Sequence, residues 1–194
     1  MLFRSLQVER DPQEATRAEL AVGYTDLEMA DRVGSVLQAT GALSRGLGEL
    51  VILLGHGASS VNNPYFAAYD CGACSGKAGA PNARAFALMA NRAQVRELLK
   101  LRGLGIPETC WFVGALHDTT RDEVRFFDCE QVPPTLQGTL DEFREKLKLA
   151  LGENARERCQ KFALVSSSVD SGQALREVRQ RSEAIFEPRP ELNH

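Results

Sequence analysis

Apolar positions along this chain change their spacing from helical to strand-like and back. Leu27, Ala30, Val33 and Leu37 recur at helical intervals behind Thr25-Asp26-Leu27-Glu28, in which Thr25 can cap a free amide and Glu28 can reach back. This predicts a helix over 26–40, ended by Gly41, Gly46 and Gly48. The continuous run Leu50 to Leu54 is too short for a helix and reads as a strand buried on both faces, with Gly55-His56-Gly57 at its C-terminal end. Residues 58–81 are small and polar and predict a long loop, a feature that in compact domains is usually functional. Asn82 is expected to cap a helix through Ala90, and Asn91 a second helix carrying Val95, Leu98 and Leu99 as far as Gly103. Cys110 to His117 gives a second buried strand and Glu123 to Phe127 a third. Strand, helices and strand in that order predict a βαβ crossover, and so an α/β fold with a mostly parallel sheet flanked by helices.

Further on, Thr139-Leu140-Asp141-Glu142 repeats the capping pattern ahead of Leu140, Phe143, Leu147 and Leu151, one face of an amphipathic helix. Ser166-Ser167-Ser168 interrupts the pattern, a last helix is expected over 173–185, and Pro188-Arg189-Pro190 closes the chain. The expected division is a connector or incomplete segment at 1–23, an α/β domain at 24–165, and a C-terminal helix with a truncated tail at 166–194.

Composition narrows the function classes. With 194 residues, 43% apolar and 25% charged, the chain can bury a core. A net charge of −3 offers no strong field for phosphate, so nucleic acid is not an expected partner. No run approaches the roughly 20 apolar residues that cross a bilayer, and Met1 to Arg10 has no cationic head before an apolar stretch. Neither a membrane span nor a secretory signal is expected. Five cysteines, an odd number, do not suggest a secreted disulfide framework, and a reducing setting is expected.

His56 and Cys71 carry the main chemical signal. An imidazole at a strand end and a thiol on the glycine-rich excursion beyond it are two donors suited to one zinc ion, although a catalytic zinc needs three protein ligands. The plainer alternative is a hydrogen-bonded strand-end histidine and a small buried cysteine. Cys71-Gly72-Ala73-Cys74 can also be read as a thiol–disulfide motif, but Ser75 to Pro81 contains two glycines and a proline, so no helix starts where it would activate a thiol. Gly72 to Lys77 fails as a phosphate loop, being one residue short, with Ala78 where Ser or Thr would hold magnesium. His117-Asp118-Thr119-Thr120 leaves the second strand as His56 leaves the first; it either lies near the site or satisfies its own backbone. Arg84 either faces an anion or is solvated.

The stretches GHGASSVNNPYFAAYDCGACSGKAGAPNARAFALMAN and IPETCWFVGALHDTTRDEV closely resemble the family of probable inorganic carbon transporter subunits DabA. The likeness spans about Tyr24 to Asp128, and RSEAIFEPRPEL resembles a later family segment. It implies a β-carbonic-anhydrase-like fold and zinc site in which an upstream Cys-x-Asp is joined by a distal His and Cys, matched here by His56 and Cys71. No Cys-x-Asp occurs in this chain, and family members are several times longer, so a fragment with half of a zinc site is expected, one that holds zinc poorly on its own. The resemblance further implies hydration of CO2 to bicarbonate in the intact complex, a membrane-embedded proton-antiporter-like partner of the DabB type, and a peripheral position on the cytoplasmic face of the inner membrane. A redox module built on Cys71 and Cys74, and a non-catalytic assembly module, are the alternatives.

Overall fold

A computed structural model describes residues 23–59, 70, 74, 76–162, 165–166 and 168–184. Residues 1–22 of the expected connector, Cys71, part of the expected loop, Ser167 and the closing Pro188-Arg189-Pro190 lie outside the described residues. In chain order the elements are α1 (Asp26–Ala39), α2 (Ala42–Arg45), β1 (Leu50–Gly57), α3 (Ala80–Asn91), α4 (Ala93–Leu101), β2 (Trp111–Asp118), β3 (Glu123–Phe126), a 3-10 turn (Cys129–Gln131), α5 (Pro134–Cys159) and α6 (Ser171–Glu183). The architecture is α/β, a three-stranded sheet of order β1-β2-β3 flanked by helices. Trp111 N–H donates to the Glu49 carbonyl at the start of the first pair and Thr119 N–H to the Gly57 carbonyl at its end. This constant offset makes β1 and β2 parallel, as the crossover predicted. β3 departs from the parallel pattern: it returns antiparallel to β2, with Ala115 opposite Phe126 and Asp118 opposite Glu123, because only the four-residue turn Thr119 to Asp122 separates them.

The chain divides into two compact units. The first comprises the described residues of Met1–Leu53, Pro81–Gly114 and Phe127–Val132. Here α1 is capped at Thr25 as its sequence predicts, with the Thr25 hydroxyl accepting from Glu28 N–H and the Glu28 carboxylate accepting from Thr25 N–H at 2.8 Å. Its buried stripe is Met29, Ala30, Val33, Gly34 and Leu37, whereas Leu27, expected on that face, is 58% exposed. These side chains pack on Phe86, Ala90, Val95, Leu99 and Phe112 in one apolar core, and the Phe86 and Phe112 rings meet edge to face at 6.0 Å. α3 begins at Ala80, two residues before the expected cap Asn82. Asn91 does not cap α4, whose N-cap position is Arg92. Its amide instead clasps the strand, donating to the Phe112 carbonyl at 2.8 Å and accepting from Phe112 N–H at 3.0 Å. A strand amide in an apolar core must find a partner, and that need outweighs a helix cap that solvent can replace.

The second unit comprises the described residues of Leu54–Ala80, Ala115–Phe126 and Pro133–His194. α5 starts at Pro134 rather than at the Thr139 capping pattern: proline fits the first helical position, where its missing N–H costs nothing, and the helix begins six residues early. α6 runs from Ser171, with the Asp170 carboxylate capping Gln173 N–H at 2.8 Å. Ala155, Cys159, Val169, Ala174 and Val178 form its small apolar cluster, made possible by Gly152, where a Cβ would stand 2.9 Å from that of Ser171. β1 is not buried on both faces as its sequence predicts: Leu54 is 51% exposed, as suits a strand at the sheet edge.

Candidate metal centre

His56 is the penultimate residue of β1 and is half-buried. Its main chain is held by a close crossing, since Gly79 N–H donates to the His56 carbonyl at 2.7 Å. A Cβ on Gly55 would come within 2.5 Å of the Gly79 carbonyl carbon, and one on Gly79 within 3.0 Å of the His56 amide nitrogen. Gly55 is therefore required by contact between two backbones, and a side chain at Gly79 would fit only tightly.

Beyond β1, two carboxylates fix the exit. Ala58 N–H donates to Asp70 Oδ1 at 2.9 Å, and Ala58 and Asp70 are both buried. Asp118, at the end of β2, accepts from the Ser59 amide at 3.2 Å and from the Ser59 hydroxyl. Thr120 N–H also donates to Asp118 at 3.2 Å, and the Thr120 hydroxyl lies within reach of both Asp118 Oδ1 and the Ser59 carbonyl. Thr119 N–H and its hydroxyl both reach the Gly57 carbonyl. His117-Asp118-Thr119-Thr120 thus satisfies backbone groups, as one of its two readings expects, and those groups belong to Gly57 and Ser59, which follow His56.

A buried ion pair supports this edge. Asp122, its side chain 1% exposed, accepts from Arg158 Nη1 at 2.6 Å and from Asn154 Nδ2 at 2.7 Å. The same Arg158 nitrogen donates to the Thr119 carbonyl at 2.8 Å. Asp122 takes a left-handed φ of 51°, which short polar side chains tolerate best. His117 Nε2 stands 3.9 Å from Asp122 Oδ1 and has no hydrogen-bond partner among the described residues. Burial pushes the His117 imidazole below its ordinary value; Asp122 and Asp118 pull it up, and His56 and Arg158 push it further down. It is therefore neutral at pH 7. Asp70, Asp122, Asn154 and Arg158 were not singled out by sequence pattern, and the 36-residue separation of Arg158 from Asp122 leaves no local signal to find.

Arg84 is neither solvated nor turned to a free anion. Only 5% exposed, it forms a two-pronged pair with Asp128 at 2.8 and 2.6 Å, and this bond raises its pKa against the opposing effect of burial. The thiols of Cys110 and Cys159 are free, and burial pushes both up, which keeps them protonated. Cys74 is half-buried and disulfide-bonded. Among the described residues no group of three His, Cys, Asp or Glu could hold a metal ion. Of the two expected zinc ligands, His56 stands near the end of β1 with no such group around it among the described residues, and Cys71 lies outside them.

A family model described as "Probable inorganic carbon transporter subunit DabA" matches residues 3–194. Proteins of that name are similar to this chain. The one from Methylococcus capsulatus is 48% identical over 172 residues, 89% of this chain and 16% of that protein. The one from Nitrosospira multiformis is 44% identical over 187 residues, 95% and 20% respectively. The one from Nitrosococcus oceani is 43% identical over 189 residues, 97% and 17%. The chain thus spans between about a sixth and a fifth of the length of these relatives. No solved structure matches it.

Proposed function

Because the chain belongs to the family of probable inorganic carbon transporter subunits DabA, we propose that His56 and Cys71 furnish two ligands of a zinc centre that hydrates CO2 to bicarbonate in the complete family protein. The observation that carries this reading is the 2.9 Å bond between Asp70 and Ala58. It ties Asp70, which precedes Cys71 in sequence, to Ala58, two residues beyond His56. An imidazole and a thiolate suit zinc chemically. A zinc ion bound there would supply Lewis-acid activation of water near neutral pH.

The chain's own residues would orient and insulate this site. Gly55 and Gly79 let two backbones cross at His56, and Asp70 and Asp118 hold the exit of β1. The remaining ligands come from outside this chain. As the family name denotes a subunit, a partner subunit follows, and we assign it to a membrane-embedded, proton-antiporter-like protein of the DabB type at the cytoplasmic face of the inner membrane. Among the described residues no helix is long and apolar enough to cross a membrane, which is compatible with a peripheral place.

The test is metal analysis of a complete family protein, kept reduced, carrying the counterpart of His56→Ala or Cys71→Ser. Each variant is expected to lose zinc and CO2 hydration together; full zinc content and activity in both would overturn the reading. The disulfide at Cys74 favours a second reading, thiol–disulfide chemistry. A redox module would cycle between disulfide and free thiols, and thiol titration after chelation would show the cycling unchanged.

A further inference from the structure

The second unit carries a cavity of about 550 Å³ that the proposed zinc chemistry does not use. Its floor is Val124 and Phe126 of β3, Leu147 and Leu151 of α5, and Leu175 of α6, all half-buried and so presenting apolar surface to whatever enters. The volume falls within the roughly 300–1,000 Å³ typical of small-ligand sites. Five cationic side chains and three acidic ones line it, an excess of two positive charges.

Most of these charges are already engaged. Asp122 is taken up by Arg158 and Asn154, and Glu123 by Arg121 and Arg179. Arg144 pairs with Asp141 and lies 5.2 Å over the Phe126 ring. Lys148 and Arg176, both exposed, have no carboxylate partner among the described residues. Glu145, also exposed, is the one lining carboxylate in no ion pair among the described residues, so the cavity offers an apolar bed next to two uncommitted cations and one uncommitted carboxylate, which together carry a net charge of one positive. A neutral apolar molecule would use only the bed and an inorganic anion only the cations.

We propose that this cavity binds an amphipathic anion, with an alkyl or acyl body on the leucine floor and a phosphate head held by Lys148 and Arg176. The head could belong to a soluble alkyl phosphate or to a phospholipid in a bilayer. His56 does not line the cavity, so the site stands or falls independently of the zinc reading.

The probes are octyl phosphate below its micelle concentration, octanol, inorganic phosphate, and vesicles of phosphatidylglycerol or phosphatidylcholine, each titrated calorimetrically against the chain. Saturable one-to-one binding of octyl phosphate, at least tenfold tighter than either octanol or phosphate, identifies a soluble ligand. Binding confined to phosphatidylglycerol vesicles identifies a lipid. In either case K148E/R176E is expected to weaken binding by roughly tenfold or more, and added salt to weaken it in the parent chain. Both positions are exposed, so the parent and variant should melt alike. Equal binding of octanol, equal binding of phosphate, no binding of any probe, or a K148E/R176E variant that binds as well as the parent would each overturn the proposal.

Discussion

The two units keep order by different means. In the first, Met29, Val33, Leu99 and Phe112 are at most 2% exposed and lie in one continuous apolar core. In the second, the described apolar cluster is small, and the end of the sheet is held by Asp70, Asp118, Asp122, Asn154 and Arg158. Each unit also sets an aspartate with left-handed φ, Asp128 at 54° and Asp122 at 51°, on a buried arginine from a helix. These two aspartates bracket β3 in sequence. The difference predicts how each unit fails: an apolar core loses contact area, whereas a polar edge that loses one member leaves its partner buried and uncompensated.

The strongest break in the comparison is Arg158→Met, which strands the Asp122 carboxylate in a site where, among the described residues, only Asn154 still donates. A loss of about 3–5 kcal/mol in urea unfolding is expected. Adding Asp122→Asn removes the stranded charge while keeping a residue that tolerates left-handed φ, so the double variant should be more stable than Arg158→Met alone. In the first unit, Leu99→Ala should cost roughly 2–5 kcal/mol and Leu99→Met less than about 1.5, following volume alone. Additive losses for Arg158→Met and Asp122→Asn would erase the distinction between the units.

A finer cut is Asp70→Ala. It leaves the buried Ala58 amide without its acceptor, at about 1–3 kcal/mol. Asp70→Asn keeps a carbonyl oxygen for that amide and should recover most of the stability. If Asp70→Ala unfolds at the same urea concentration as the parent, the carboxylate does not hold the exit of β1.

The same contrast explains which features could be read from the residues. Hydrophobic spacing places α1, the strands and their parallel crossover because these depend on burial of nearby side chains. The Thr25 capping pattern marks a true helix start, yet the equal pattern at Thr139 lies inside α5, because Pro134 supplies an earlier start that needs no N–H. Asn91 misleads in the same way, its amide being drawn to Phe112 by a demand set 21 residues away. His117 to Thr120 is recognisable as a polar exit from a strand, but its bonds to Gly57 and Ser59 depend on two strand ends meeting. Asp122 and Arg158 are invisible individually, since an aspartate in a turn and an arginine on a helix are ordinary until the fold buries them together.

The smallest expected effect lies in the pH dependence of the polar edge. Burial depresses the His117 pKa in the folded chain below its ordinary 6.5. The unfolded chain therefore binds the proton first as pH falls, and protonation favours unfolding. The stability contributed by neutral His117 is complete above about pH 6.5, declines below it, and levels off once the folded imidazole also charges. Asp122 and Asp118 oppose the shift while Arg158 and His56 reinforce it, so His117→Gln should flatten the urea-midpoint profile between pH 7.5 and 5.5 without reversing it. A variant profile as steep as the parent's over that interval would place the acid sensitivity in the carboxylates instead, and the imidazole would then be a bystander to the edge it adjoins.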